Sequence, residues 1–505
     1  MKKISVILSL LFIVNVSTNN VAASGIYPKV NFADAMFLPH TYTSDDDKLP
    51  NLLEWNLLKN VQTKKADAEI TITDSRIELN RRVWTFSTSD IFYRKGFTPY
   101  DVTQEEYVTL VRNLHPYAVA YSEGKTSDWA RQKIGDTAVF GGTGNGYNIP
   151  SWVPSEVLQG VGNQKFFLNG KPYDFFNAYV RMIHKIPARG YVLGNIMTGT
   201  CAEVIWMISL TNPEYVQLGL EQMRAAAYSE YWRKSPGSYK AKFNRWADSI
   251  KAVYPKVKII ADVPPSRSNV ESDRGWIKEL QRDLKADAVR DYWHLHHTSQ
   301  SEFSGDIRKD AMVMNEIFQT NILRLLEKQK NLFPDKELVI DQWSVSLTGD
   351  GGRNPYKRTF FATGYIPRMA EFMVNYNRDH DNAIASAKYE NLKQLIGSKG
   401  IMSMEYEVTR ITANIFSESG TVLNVQHPAG VHIFGAKTAQ KYKLLVFNDS
   451  GKSIQLPQQI NCDGKMLNVY VNEALSSPDL TATTWSNYKT EGEVKPYSIL
   501  YVELR

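Results

Sequence analysis

Residues 239–262 read YKAKFNRWADSIKAVYPKVKIIAD. Tyr239, Phe243, Trp246, Ile250 and Val253 recur at spacings of four and three, which predicts an amphipathic helix with one apolar stripe laid on a sheet. A turn follows, and then the short β run Val257–Ala261, closed by Asp262. This helix-to-strand unit recurs on both sides. Upstream, β runs are predicted at Val83-Trp84-Thr85-Phe86, Tyr117–Tyr121, Gly190–Leu193 and Tyr215–Leu218. Downstream they are predicted at Tyr292–His296, Glu337–Ile340 and Gly400–Met404. Helical patterns lie between them. One opens at Thr103, with Glu106 completing a capping box, and carries Tyr107, Leu110, Val111 and Leu114. Others are marked by Trp276, Ile277, Leu280 and Leu284, and by Ile317, Phe318, Ile322, Leu325 and Leu326. A further helix, Phe360 to Met373, should kink at Pro367. About eight such units across residues 84–410 predict an α/β fold, a (β/α)8 TIM barrel, in preference to an open doubly wound sheet. No Gly-x-Gly-x-x-Gly turn follows the first strand, which argues against a dinucleotide site.

After residue 410 the pattern changes. Lys441–Asn448, Ser453–Leu456, Met466–Val471 and Ser498–Leu504 are β runs with no helix between them, so residues 411–505 read as an antiparallel β-sandwich domain. Residues 24–83 form an N-terminal segment that is partly β. Its run Ile70, Ile72, Ile77 and Leu79 is placed to join the same sandwich. Residues 1–23 read as a secretory signal peptide: Lys2 and Lys3, an apolar run from Ile4 to Val16, then Val21-Ala22-Ala23 before a cleavage site near Ser24. That apolar run is shorter than the ~20 residues that span a bilayer, and no other stretch approaches that length. The chain is therefore expected to be secreted or periplasmic.

Composition narrows the function. The 505 residues carry 59 Lys plus Arg against 53 Asp plus Glu, a dispersed excess of +6 that argues against nucleic acid or an anionic membrane as partner. Two cysteines, Cys201 and Cys462, exclude a disulfide scaffold and a Cys-based zinc module. Aromatic residues reach 12%, which suits stacking on sugar faces and equally suits a core. The Gly-rich stretch Gly141–Gly146 lacks the Lys-Ser/Thr ending of a phosphate loop and reads as a barrel loop.

In such barrels the chemistry sits on the loops after the strand C-termini. The polar residues there are Asp90, Glu123, Asn195, Glu221, Asp262, His294, His296, His297, Asp341, Gln342 with Trp343, Glu405 and Glu407. Two of these positions carry a resemblance. Gln217-Leu218-Gly219-Leu220-Glu221 on the fourth strand and Leu338-Val339-Ile340-Asp341-Gln342-Trp343 on the seventh, followed by a terminal sandwich, resemble the clan A retaining glycoside hydrolases of the arabinofuranosidase, β-xylosidase and β-agarase/porphyranase type. Those families carry a Leu-Gly-Asn-Glu-like motif whose Glu is the general acid/base, and a Thr-Glu-Trp-like motif whose Glu is the nucleophile. The resemblance implies Glu221 as acid/base, places the nucleophile position on Gln342, and implies a carbohydrate ligand. Glu123, Asn195, His294, His296, Trp343 and Glu405 become candidate sugar contacts.

The departures are as informative. The family's Asn is Leu220 here, and its nucleophile is a neutral amide. Retaining hydrolysis needs two carboxyl groups about 5–5.5 Å apart, and an amide neither attacks an anomeric carbon well nor steadies an oxocarbenium-like transition state. Three readings follow. Asp341 could supply the carboxylate, but adjacent strand residues face opposite sides, so this needs a bulge. Glu405, Glu123 or Asp262 could supply it from elsewhere, in an inverting arrangement with carboxyls about 6.5–9.5 Å apart. Or the barrel binds glycans without cleaving them, with Trp129, Trp152, Trp293 and Trp343 as stacking platforms. His294 and His296 share a strand face, as a metal-ligating pair would, but no second His-x-His completes such a site. The expectation is no metal and no cofactor.

Overall fold

The computed structural model describes residues 70–88, 102–121, 167–168, 171–172, 175–197, 199–220, 222, 236–265, 271–294, 322–344, 359–389, 392–396, 404–427, 431–479, 482, 484–490 and 492–505. The first strand, β1 (Thr71–Glu78), belongs to a second sheet taken up below. Eight parallel strands then follow: β2 (Thr85–Ser87), β3 (Ala118–Tyr121), β4 (Arg189–Gly194), β5 (Tyr215–Leu218), β6 (Lys258–Ala261), β7 (Ala288–His294), β8 (Glu337–Ser344) and β9 (Ile384–Tyr389). Each pairs with the next in sequence, and β9 pairs with β2, so the ring is closed. This is the parallel eight-stranded barrel of a TIM fold.

The strands are short and buried on both faces, which is why they read as apolar runs rather than as alternations. Inward-facing Ala118, Ala120, Leu193, Tyr215, Ile260, Ala288 and Val339 fill the interior. The outward faces pack under helices. These are α1 (Glu105–Arg112), α2 (Phe175–Lys185), α3 (Cys201–Thr211), α4 (Pro236–Val253), α5 (Glu271–Leu280), α6 (Leu323–Leu332), α7 (Phe360–Thr363), α8 (Tyr365–Asp379) and α9 (Met404–Ala413). On α4 the stripe Tyr239, Phe243, Trp246 and Ile250 is buried as expected, but Val253, the last residue, is 51% exposed because the helix ends there. Ion pairs close the N-terminal mouth. Arg82 Nε lies 2.7 Å from Glu214 Oε1, and Lys258 pairs with Glu337.

Several local expectations are corrected. The eighth barrel strand is β9, not Gly400–Met404, and Met404 instead opens α9. The sequence of β9, Ile-Ala-Ser-Ala-Lys-Tyr, is small and polar, so it lacks the bulky apolar signature of a strand. The sixth strand begins at Ala288, four residues earlier than expected. The box at Thr103 and Glu106 does not form, since α1 begins at Glu105 with Gln104 as its cap. A capping box stands instead on α3, where Glu203 Oε2 accepts from Thr200 N at 2.6 Å and Thr200 Oγ1 accepts from Glu203 N at 3.3 Å. Between α7 and α8 the break lies at Gly364, while Pro367 sits in the first turn of α8, where its missing N–H leaves no helical bond unmade.

The second sheet is built from β1 and the C-terminal strands β10 (Thr421–Gln426), β11 (His432–Lys437), β12 (Tyr442–Asn448), β13 (Gln459–Cys462), β14 (Lys465–Ser476), β15 (Ser486–Asn487) and β16 (Ser498–Leu504). Its order is β13-β1-β10-β11-β12-β16-β14-β15, and β13 also pairs with β14, so seven of the strands close on themselves. All pairings are antiparallel except β1 with β13. Ile72, Leu423, Ile433, Leu444, Val446, Ile460, Leu500 and Val502 fill its inside. The opposite faces of β11, β12 and β16 (Phe434, Leu445, Phe447 and Ile499) pack into the barrel's outer core. Cys201 on α3 and Cys462 on β13 are both free thiols. Among the described residues, no helix is long and apolar enough to cross a membrane.

Candidate functional site

The C-terminal half of the barrel interior holds charge rather than hydrocarbon. Asp341 on β8, Arg290 on β7, Lys388 on β9 and Asp262 just past β6 are all fully buried. Arg290 bridges the two acids, its Nε to Asp262 and its Nη1 to Asp341. Lys388 Nζ lies 2.5 Å from the other Asp341 oxygen, Oδ1. Gln217 on β5 donates through Nε2 to Asp341 Oδ2 at 3.2 Å and to the Gly219 carbonyl at 3.0 Å, and accepts at Oε1 from Tyr191 OH at 3.0 Å. Lys388 Nζ also stands 4.8 Å from the Tyr191 ring centroid. Two acids and two cations thus interlock, drawn from β7, β8, β9 and the end of β6.

Burial sets the electrostatics here. It holds the Lys388 amine well below the usual lysine range. Burial raises the Asp341 carboxyl, against the pull of Arg290 and Gln217. The Tyr191 phenol is pushed up by burial and by the neighbouring Asp341 charge.

This layer anchors the ends of the strands that should carry the chemistry. Asp262 Oδ2 accepts from the backbone N–H of Gln222 at 2.5 Å. Tyr239 OH, from α4, donates to the Leu218 carbonyl at 3.2 Å and accepts from Asp262 N at 3.0 Å. Gly219 turns with φ +91°, and a Cβ there would lie 2.7 Å from Gln222 Cγ. The residues on either side of Glu221, Leu220 and Gln222, are therefore both fixed and buried. Leu220, where the resembled motif has Asn, packs into the apolar interior.

At the seventh strand the ladder contains a bulge, and it begins after Asp341. From Asp341 to Ser344, β8 takes three steps while β7 takes two, Tyr292 to His294. The same mismatch opens against β9, between Ile340 and Trp343. One inserted residue inverts the inside-outside alternation. Asp341 precedes the insertion and, two residues after inward Val339, faces the interior by ordinary alternation, contrary to the expectation that it points away. Trp343 lands on the outer wall, 1% exposed, edge-on to Tyr389 at 4.9 Å and 6.2 Å from Trp84. Trp343 is thus a core residue between barrel and helices, not a sugar platform. Both Asp341 oxygens are engaged, which suits a structural anion and not attack on a substrate.

The other candidates divide as follows. Asn195 is buried directly after β4, and its carbonyl accepts from Gly199 N at 3.1 Å. Glu405 lies in the first turn of α9 rather than at a strand end, a displacement that follows from the misplaced eighth strand. Gln342 and His294 lie on β8 and β7. Glu221, Glu123, His296, His297, Asp90, Trp129 and Trp152 fall outside the described residues. Sequence reasoning missed Arg290, Lys388 and Tyr191. The signal available was a cation inside a barrel strand, as Arg290 is in Ala288-Val-Arg-Asp-Tyr-Trp-His294.

No protein-family model matches the sequence, and no curated protein is similar to it at a significant level. Solved structures are similar in fold. A GH51 arabinofuranosidase from Xanthomonas axonopodis pv. citri superposes with TM-score 0.61 at 13% identity, over 86% of this chain and 99% of that one. A family 51 α-L-arabinofuranosidase from Bifidobacterium longum gives 0.59 at 11%, over 88% and 100%. An α-L-arabinofuranosidase from Thermotoga maritima gives 0.58 at 12%, over 86% and 99%. Barrel and second sheet together therefore reproduce, over nearly the whole length of those enzymes, the fold of the clan A glycoside hydrolases that the two strand-end motifs resemble.

Proposed function

We propose that this chain is an exported, carbohydrate-directed protein that hydrolyses glycosidic bonds in a poly- or oligosaccharide, with Glu221 as general acid/base at the end of the fourth barrel strand. The second sheet is read as its C-terminal β-sandwich and residues 1–23 as its signal peptide. The observation that carries the reading is the anchoring on both sides of Glu221: the left-handed turn at Gly219 and the clamp of Gln222 onto Asp262, at the mouth of an arabinofuranosidase-like barrel. In this reading Glu221 protonates the leaving-group oxygen, and the buried ionic layer beneath fixes strand ends without taking part. Asp341 and Asp262 are committed to Arg290 and Lys388, and Glu405 sits on α9, so the second carboxylate comes from a rim loop, with Glu123 the candidate, and the spacing is that of an inverting pair.

One observation favours a second reading. With Asp341 engaged and an uncharged Gln342 on the bulged strand, the nucleophile position has no carboxylate, and the barrel would bind glycans without cleaving them. A panel of arabinan, arabinoxylan and agar-type polysaccharides separates the two readings when incubated with wild type, Glu221→Gln and Gln342→Glu. Reducing ends released by wild type and lost in Glu221→Gln support hydrolysis. Release that survives Glu221→Gln removes the acid/base assignment, and release only from Gln342→Glu establishes the binding-only reading.

A further inference from the structure

The rolled sheet has two outer faces. That of β11, β12 and β16 is covered by the barrel. That of β14, β13, β1 and β10 points to solvent, since Leu467, Val469, Ile460, Ile72 and Leu423 on the same strands point inward. Strand register assembles the outer residues into rungs. Met466 faces Asn461, Asn461 faces Thr71, and Thr71 faces Gln426. A second rung pairs Asn468 with Gln459, and a third pairs Thr73 with Asn424. Tyr470 continues the line along β14, 47% exposed, and Met466 is 58% exposed.

None of these side chains is charged. A solvent-facing sheet ordinarily mixes Lys, Arg, Glu and Asp into such positions. Here four adjacent strands present amides and hydroxyls, each able to donate and accept, around one exposed phenol ring. Some are already aligned by their neighbours: Gln459 Nε2 donates to Asn468 Oδ1 at 2.9 Å, and Thr71 Oγ1 donates to Gln426 Oε1 at 3.1 Å. Charges flank the face: Lys465 precedes Met466 on β14 and is exposed. Arg505 lies 5.9 Å from the Tyr470 ring centroid and is paired with Glu503.

We propose that this face is a second carbohydrate-binding surface that takes an uncharged, hydroxyl-rich polysaccharide chain laid across the strands, with Tyr470 stacking on a sugar face. Its chemistry disfavours other occupants. Each of the four strands has a paired neighbour on both sides along part of its length, which leaves little free edge for an added strand. A protein partner needs a buried apolar or Arg anchor cluster, and this face offers Met466 and Tyr470 alone. An anionic glycan needs cations among the contacts, and the rungs contain none. The choice of ligand class rests on the glycan-directed reading above, but the surface is separate from Glu221.

The test is electrophoresis in native gels cast with arabinoxylan, mixed-linkage β-glucan or agarose, and with polygalacturonate as the anionic comparison. The variants are Tyr470→Ala and the doubly charged Asn468→Asp/Gln459→Glu, all at exposed positions that leave the core intact. Wild type should be retarded by at least one neutral polysaccharide, and each variant should raise the apparent Kd by about fivefold to tenfold, the worth of one aromatic or hydrogen-bonded contact. Retardation equal in wild type and both variants, retardation by polygalacturonate alone, no retardation in any neutral gel, or a wild-type dimer by light scattering that Tyr470→Ala dissolves would each overturn the proposal. Hydrolysis with Tyr470-independent retention removes this surface and leaves the active-site reading standing. Tyr470-dependent retention with no hydrolysis by any variant does the reverse.

Discussion

The interlocked charges inside the barrel make a quantitative prediction for Asp341→Asn. The substitution keeps shape but removes the charge that Arg290 Nη1 and Lys388 Nζ both face, while Arg290 Nε keeps Asp262. At 2.5 Å and an effective dielectric of about 20, the Lys388–Asp341 attraction alone is about 7 kcal/mol. Most of this offsets the desolvation of two fully buried ions, so the net loss on breaking the set from one side is about 3–5 kcal/mol. Relaxation is available, since burial already favours a neutral Lys388 amine, and this places the expectation near the lower bound.

The companion variant is the double change Asp341→Asn/Lys388→Met, which removes the stranded cation with its partner. Replacing both ions of a buried pair is often close to neutral, so the double variant should recover about 2 kcal/mol or more relative to the sum of the two single changes. Urea unfolding followed by tryptophan fluorescence reads this directly, because Trp84, Trp246, Trp276 and Trp343 are all buried in the barrel's outer core. If Asp341→Asn unfolds within about 0.5 kcal/mol of wild type, or if the cycle shows additivity, the four groups do not act as one set and the reasoning fails.

His432, on β11, faces Glu371 on α8 at 2.8 Å and Asp449 at 3.6 Å, with Arg368 paired to the same Asp449 at 2.5 Å. Burial lowers its pKa, but hydrogen bonds to Asp449 and Glu371 outweigh this and raise it to about 9. A pKa raised on folding gives stability that is full below about 6.5 and lost as pH rises through about 9, so wild type should lose up to about 3 kcal/mol across that window while His432→Gln stays flat in urea titrations at pH 6, 7.5 and 9. Gly219→Ala combines φ +91° with a Cβ 2.7 Å from Gln222 Cγ, so it should cost about 1–3 kcal/mol and weaken whatever glycan binding or turnover Glu221 supports. Normal turnover in a folded Gly219→Ala protein would refute the anchoring role given to that turn. Thr200→Ala removes the capping box of α3 and should cost about 1 kcal/mol in the same unfolding assay.

The barrel was legible wherever strands are made of bulky apolar residues, because those have no other use than burial on both faces. It was illegible at β9, whose small residues Ala385, Ser386 and Ala387 precede Lys388, the partner of Asp341 on the adjacent strand. The same composition hid both the strand and its function, because small and polar residues do not read as a strand. Losing β9 then moved Glu405 to a false strand end, an error of topology and not of chemistry. Trp343 failed for a different reason. A single inserted residue on β8 is invisible to periodicity, yet it decides which side chains face the cleft and which face the helices. The resemblance at Glu221 and Gln342 rests on order along the chain, which bulges do not disturb. What local pattern could not supply was the ionic layer beneath them, since Arg290, Lys388, Asp262 and Asp341 come from four consecutive strands, far apart in sequence, and meet only once those strands pair.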